Sequence, residues 1–218
     1  MSPAKNSATS STQPSASGLL LVISAPSGAG KTSLVKALLA KDESLSVSVS
    51  HTTRPARPGE VDGVNYHFVS RELFEAMIAN DEFVEHADVF GNFYGTARSS
   101  LEDGQASGKD VVLEIDWQGA AQVRASFPAA ISLFILPPSR TTLLERLNSR
   151  GEDSPEVIAK RTALAQTELA QYPDFDYLLV NDDFDLAVSE LHAVVTAERL
   201  KAPIARPRHA DLLADLLR

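Results

Sequence analysis

Lys31 and Thr32 close the stretch SAPSGAGKTSL, residues 24–34, and residues of those types at that spacing could hold a chain of phosphates. The spacing approaches G-x-x-x-x-G-K-[ST], a loop whose backbone N–H groups cradle phosphates. Its lysine reaches the terminal phosphates and its hydroxyl offers an oxygen to Mg²⁺. One position departs from the pattern, because Ala25 stands where the first glycine is expected. Alanine costs something there only if the position needs a positive φ. Ala25, Pro26, Ser27, Gly28, Ala29, Gly30, Lys31 and Thr32 therefore read as a nucleoside triphosphate site with Mg²⁺. The loop alone names no reaction.

A second group follows in SHTTRPARPGEVDGVNYHF, residues 50–68. Arg54 and Arg57 stand beside prolines that stiffen the backbone, and two guanidinium forks on a rigid loop suit a second phosphate. Tyr66, Glu85, Tyr94 and Thr96 add polar groups that could converge on one small ligand. Further on, Arg146 and Arg150 are four apart and share a helix face, with Arg161 beyond them. On spacing alone, these three read as plain surface charge. Asp116 follows the run DVVLEI, and ligand-facing residues sit at strand C-termini in a doubly wound sheet. It could orient Mg²⁺-bound water, contact a base, or merely cap the next helix.

Other elements must position these groups. LLLVIS (residues 19–24), DVVLEI (110–115), ISLFIL (131–136) and YLLVN (177–181) are short apolar runs, as expected of parallel strands buried on both faces. The alternating run at 46–50 predicts a half-buried strand. Helices are predicted over 32–40, 118–126 and 185–200, and over 139–171 with a break at RGEDSP. Ser70 can cap a helix with Leu73, Phe74, Met77 and Ile78 on one face. Strands alternating with helices predict an α/β fold, a doubly wound parallel sheet. The turn-rich β region over about 50–96 breaks that alternation and reads as a small inserted lobe.

The ends are simpler. Residues 1–17 are mostly Ser, Ala, Thr and Pro with almost nothing apolar to bury, and predict a disordered, untargeted extension. Over 201–218, Leu212, Leu213, Leu216 and Leu217 would form one apolar helical face that packs on the domain, with a subunit contact as the alternative.

Composition excludes several classes. The 218 residues suit one domain with inserts, and no apolar run approaches the roughly 20 residues of a membrane span. A net charge of −9 disfavours nucleic acid and acidic membranes as partners. With no cysteine there is no disulfide or thiolate chemistry, and the five histidines show no metal-type cluster.

Taken in order, SAPSGAGKTSL, TTRPARPGEVDGVNYHFVS, EFVEHADVFGNFYGT, LEIDWQG, LFILPPS and RLNSRG resemble the guanylate kinase family, the bacterial form most closely, over about residues 19–200. That family often carries alanine at the first loop position. The resemblance implies an ATP:GMP phosphotransferase of the cytoplasm that needs Mg²⁺, acts on GMP and on dGMP, and serves purine metabolism. It implies a P-loop core over 18–49 and 97–200, a mixed β GMP-binding lobe over about 50–96 and a helical lid over about 146–165. Ser50, Arg54, Arg57, Tyr66 and Tyr94 match positions that bind GMP, the arginines and Tyr94 on its phosphate. Glu85, Thr96 and Asp116 match positions around guanine. Arg146, Arg150 and Arg161 match lid and hinge arginines that close over the phosphates, and with Lys31 and Arg54 they are the implied catalytic residues; Asn181 matches a position near the ATP base. Whether the chain is a monomer or a homo-oligomer stays open. So do two other readings, a kinase for another nucleoside monophosphate and a non-catalytic binding module. Glu85 distinguishes the first, since a carboxylate accepts both N1–H and 2-amino donors of guanine. Lys31 and the lid arginines, which a module could lose, distinguish the second.

Overall fold

The computed structural model describes residues 18–89, 91–148 and 155–218, with side chains from residue 162 onward in the last stretch. The extension at 1–17, Arg150, and the side chain of Arg161 lie outside the described residues.

The chain enters through β1 (Leu20–Ser24), turns through the phosphate loop into α1 (Lys31–Lys41), and returns in β2 (Leu45–Val47). It then leaves the core for β3 (His51–Thr52), β4 (His67–Phe68), α2 (Arg71–Ala79) and the hairpin of β5 (Phe83–Val89) and β6 (Asn92–Ala97). The core resumes with α3 (Arg98–Ala106), β7 (Asp110–Glu114), α4 (Trp117–Ser126), β8 (Ile131–Leu136) and α5 (Arg140–Asn148). Last come α6 (Pro155–Leu169), β9 (Tyr177–Val180), α7 (Phe184–Leu200), α8 (Ala202–Arg208) and α9 (Ala210–Leu216).

β1 is buried along its length because it lies mid-sheet, in the order β2-β7-β1-β8-β9, with every pairing parallel. One face packs Leu21 and Ile23 against Leu34 and Leu38 of α1 and Leu191 of α7. The other packs Val22 and Leu113 against Leu101 of α3 and Val123 of α4. Helices on both faces of a parallel sheet make the doubly wound α/β architecture. β1 and β7 are neighbours in register Ile23↔Glu114, so the loop after β1 lies beside Glu114 to Asp116. That is the crevice beyond the strand C-termini where such sheets bind ligands.

The smaller sheet runs β4-β3-β6-β5 and is mixed, β3 pairing parallel with β4 and antiparallel with β6. It packs its own cluster of Phe74, Met77 and Phe83. Ser70 caps α2 by accepting from the Leu73 N–H. The predicted face of that helix is narrower than expected: Leu73 is 51% exposed, since burial centres on Phe74 and Met77. The strand predicted over 46–50 also divides, ending at Val47, with the next strand starting at His51 in the other sheet. Its alternation continued across a change of sheet. α3 escaped prediction because its sequence RSSLEDGQA is mostly polar and buries only Leu101.

Arg199 on α7 ties the far edge of the core together. Its Nε donates to Asp110 at 2.6 Å, one terminal nitrogen to Asp42 at 2.6 Å, and the other to Ser44 at 2.7 Å. Asp110 also accepts from the Leu19 N–H and from Arg208. Burial pushes the Asp42 carboxyl up, but hydrogen bonds from Ser44 and Arg199 outweigh it and hold the carboxyl at about 2. Removing one partner of a buried ion pair strands the other charge. With Arg208 still on Asp110, Arg199→Met should lower the unfolding free energy by about 3 kcal/mol, read as a lower urea midpoint at unchanged slope.

The tail departs from expectation. α9 and the residue that caps it leave Leu212, Leu213, Leu216 and Leu217 between 40% and 85% exposed, so their face does not pack on the domain. The tail is anchored one helix earlier, where Ile204 meets the core cluster and Arg208 pairs with Asp110.

Candidate functional site

Gly30, the residue before α1, adopts φ 93, and a Cβ there would meet Asn181 Nδ2 at 2.4 Å. Both the backbone conformation and the close approach require glycine. Ala25 adopts no such angle; the one described non-glycine residue with positive φ is Asp81. The alanine therefore sits in the loop without strain. Asn181 is buried and donates its amide to the Ala29 carbonyl at 2.7 Å, bracing the loop from behind. Its side chain binds the loop's backbone and does not line the cleft.

The loop opens onto a cleft of about 310 Å³ between the two sheets. One wall is the loop with Lys31 and Thr32; the opposite wall is Ser50, Arg57, Tyr66, Glu85 and Tyr94 of the lobe. Asp116 and Glu114 form the floor. Ala29, Arg54, Thr96, Asn181 and Arg146 do not line it. Ala29 is fully buried, and Arg146 reaches the Asn181 carbonyl at 3.5 Å.

Lys31 Nζ donates to the Ile115 carbonyl at 2.7 Å, and Thr32 donates its hydroxyl to Glu114. Asp116 accepts from the Gly119 N–H at 2.8 Å, so it caps α4 while one side faces the cleft. The capping role and the ligand-facing position coincide at one carboxylate. The Thr32 hydroxyl with the Glu114 and Asp116 carboxylates makes an all-oxygen donor set beside the loop, which fits Mg²⁺.

Glu85 is the most altered group. It is 3% exposed, far from the solvated charge that a strand edge might carry. A bulge between Phe83 and Glu85 explains how neighbouring residues serve three places. Phe83 enters the lobe cluster, Val84 the core cluster, and Glu85 the cleft. Thr96, directly across the pair, donates its hydroxyl to Glu85 at 2.6 Å. A Cβ on Gly119 would lie 2.3 Å from the Glu85 carboxylate, so only glycine lets α4 approach this closely. Burial pushes the Glu85 carboxyl up to about 7, against the lowering hydrogen bond from Thr96 and with a further push from Asp116.

Arg54 is held by Glu60 through two bonds of 2.9 and 2.8 Å, which raise its pKa, and it lies 5.5 Å from the Tyr66 ring centroid. It is thus a rigid cation behind the cleft wall, while Arg57 is exposed at the front. Burial pushes Tyr66 up to about 12, so its phenol stays a donor. Sequence reasoning missed three carboxylates: Glu60, Glu114 and Glu168, the last accepting from the Ser27 N–H at 2.9 Å. Glu114 was legible, being two residues before Asp116 at a strand end; nothing local marked Glu168, on a helix 141 residues from its partner.

A phosphate loop in the crevice of a parallel sheet, facing a second lobe across one cleft, defines a P-loop nucleotide-binding α/β protein. A family model described as guanylate kinase matches residues 17–198, and the chain belongs to the guanylate kinase family. A guanylate kinase of Alkalilimnicola ehrlichii is 58% identical over 200 residues, covering 92% of this chain and 98% of that one. One from Escherichia coli strain K12 is 54% identical over 205 residues, covering 93% and 99%. The crystal structure of guanylate kinase from Anaplasma phagocytophilum matches with a TM-score of 0.72 at 36% identity, over 85% of this chain and 88% of that one.

Proposed function

We propose that this chain transfers the γ-phosphoryl group of ATP to GMP, giving ADP and GDP. The observation that carries the reading is the buried Glu85 carboxylate, paired with Thr96 and facing the same cleft as Lys31. Guanine presents two adjacent donors, N1–H and the 2-amino group, to one carboxylate, where adenine would leave it unpaired. Ser50, Arg57, Tyr66 and Tyr94 would take the GMP phosphate, with Arg54 behind them as a fixed positive charge. The loop from Ala25 to Thr32 would take the ATP phosphates, with Lys31 on the terminal ones.

An oxygen of the GMP phosphate attacks the γ-phosphorus, and the bond from that phosphorus to the β–γ bridging oxygen breaks. The acceptor needs no general base, since a phosphate monoester with a second pKa of about 6 is largely dianionic at pH 7. The remaining requirement is positioning and positive charge, which Lys31, Arg146, Arg150 and Arg161 would supply. Thr32, Glu114 and Asp116 would hold Mg²⁺, which when bound neutralises phosphate charge. Closure of the lid would exclude water that otherwise hydrolyses ATP. Among the described residues no helix is long and apolar enough to cross a membrane. The net charge of −9 further supports small-molecule partners over nucleic acid or anionic lipid, and the cytoplasm is the compartment we assign with this reaction.

The test is ADP release from ATP and Mg²⁺ with GMP, dGMP, AMP, CMP and UMP tried in turn. ADP forms with GMP and dGMP and only slowly with the others. Equal rates with AMP would remove Glu85 as the reader of the base, and no turnover from folded protein would point to a binding module.

A further inference from the structure

Ser27 lies within the phosphate loop, and its N–H is among the donors such a loop offers a bound phosphate. That donor already has an anionic partner. Glu168, near the C-terminal end of α6, accepts from it through Oε2 at 2.9 Å and lines the same cleft. The carboxylate is half-buried, and burial pushes its pKa up, against the Ser27 N–H and Lys31, which favour its charge, and with Asp116, which opposes it. The helix is joined to the loop by a second route. A Cβ on Gly28 would lie 3.3 Å from both Leu143 and Leu147 of α5, and these leucines pack with Ala165 and Leu169 of α6.

A carboxylate and a phosphate cannot both use one N–H, and two anions held there would repel. We infer that Glu168 sets the affinity for the triphosphate, its carboxylate holding the Ser27 N–H until phosphate displaces it, while the leucine packing between loop, α5 and α6 stays in place. Glu168 is thus a competitor built into the protein, and arrival of the phosphates is coupled to loss of its tie to the loop. The inference rests on the reading of this loop as the ATP site.

Calorimetric titration of the full chain with pyrophosphate, ADP, adenosine and GMP tests it, in the parent and in Glu168→Gln and Glu168→Ala. A charge-assisted hydrogen bond is roughly twice as strong as a neutral one. Both variants should therefore bind pyrophosphate and ADP about threefold to tenfold more tightly. Adenosine and GMP, which bring nothing to the Ser27 N–H, should bind as in the parent. A merely structural role would lower stability without this selective gain. Unchanged or weaker pyrophosphate binding in either folded variant overturns the inference. Failure of the parent itself to bind ADP or pyrophosphate at millimolar concentration is a different result, which overturns the ATP-site reading and takes this inference with it.

Discussion

Lys31→Met lowers kcat/KM for ATP by about 10³-fold or more, while GMP affinity changes little. Phosphoryl transfer leaves the protein little covalent work, so the rate depends on positive charge placed before the reaction begins. The Lys31 ammonium is held near its task by one neutral acceptor, the Ile115 carbonyl at 2.7 Å. A neutral acceptor competes weakly with phosphate, and the lysine is free to exchange one for the other. Methionine keeps most of the apolar stem and removes the charge, so the loss measures the charge. The freed Ile115 carbonyl costs about 1 kcal/mol of stability, which a urea titration would register separately. A fall of less than tenfold in steady-state assays would remove Lys31 from the transferring site.

Glu85→Gln gives the second large effect, and pH separates its two parts. A carboxylate accepts both guanine donors only when ionised, and burial holds the Glu85 carboxyl at about 7 in the free protein. Since kcat/KM for GMP reports free-protein ionisations, it should climb with pH through about 7. The GMP phosphate adds its own step near 6. Glutamine removes the upper step, leaves the lower, and lowers kcat/KM for GMP by about 10²-fold, narrowing the preference over AMP.

Stability moves the opposite way. The folded carboxyl titrates at about 7 against 4.5 when unperturbed, so between those values the folded protein binds more protons than the unfolded chain. Glu85 thus costs the fold nothing below 4.5, and its cost is complete once the pH passes about 7. The shift corresponds to about 3 kcal/mol. Glu85→Gln should therefore melt several degrees higher at pH 8, with the gap shrinking toward pH 5. A parent and variant that melt together at pH 8 would show that Glu85 is not destabilised by its burial. The combination, a more stable protein that reads guanine poorly, is expected where a site is held in strained electrostatics.

Much of this protein was legible as sequence because its signals are local. The apolar runs of β1, β7 and β8 marked buried parallel strands, whereas β9, read the same way, is the sheet's edge strand and leaves Leu178 and Val180 each 49% exposed; the loop of residues 24–32 declared itself by spacing. Ser70 and Asp116 capped the helices that follow them, as their types suggest. The motifs in order carried the family, because each lies within a short stretch of chain. Where periodicity was weak, as in polar α3, or crossed between two sheets, as at 46–50, the reading faltered.

The tertiary structure decided what depends on distance in space. It placed Glu85 out of water beside Thr96, through a bulge that no local pattern announced. It assigned Asn181 to the back of the phosphate loop, put Glu60 on Arg54, and brought Glu168 to Ser27 across 141 residues. It also left the leucines of α9 uncovered, although their spacing suggested a packed face. A sequence shows which side chains are available and which face of an element they share. Burial, and with it the charge state and partners of each carboxylate, is set only when distant elements meet.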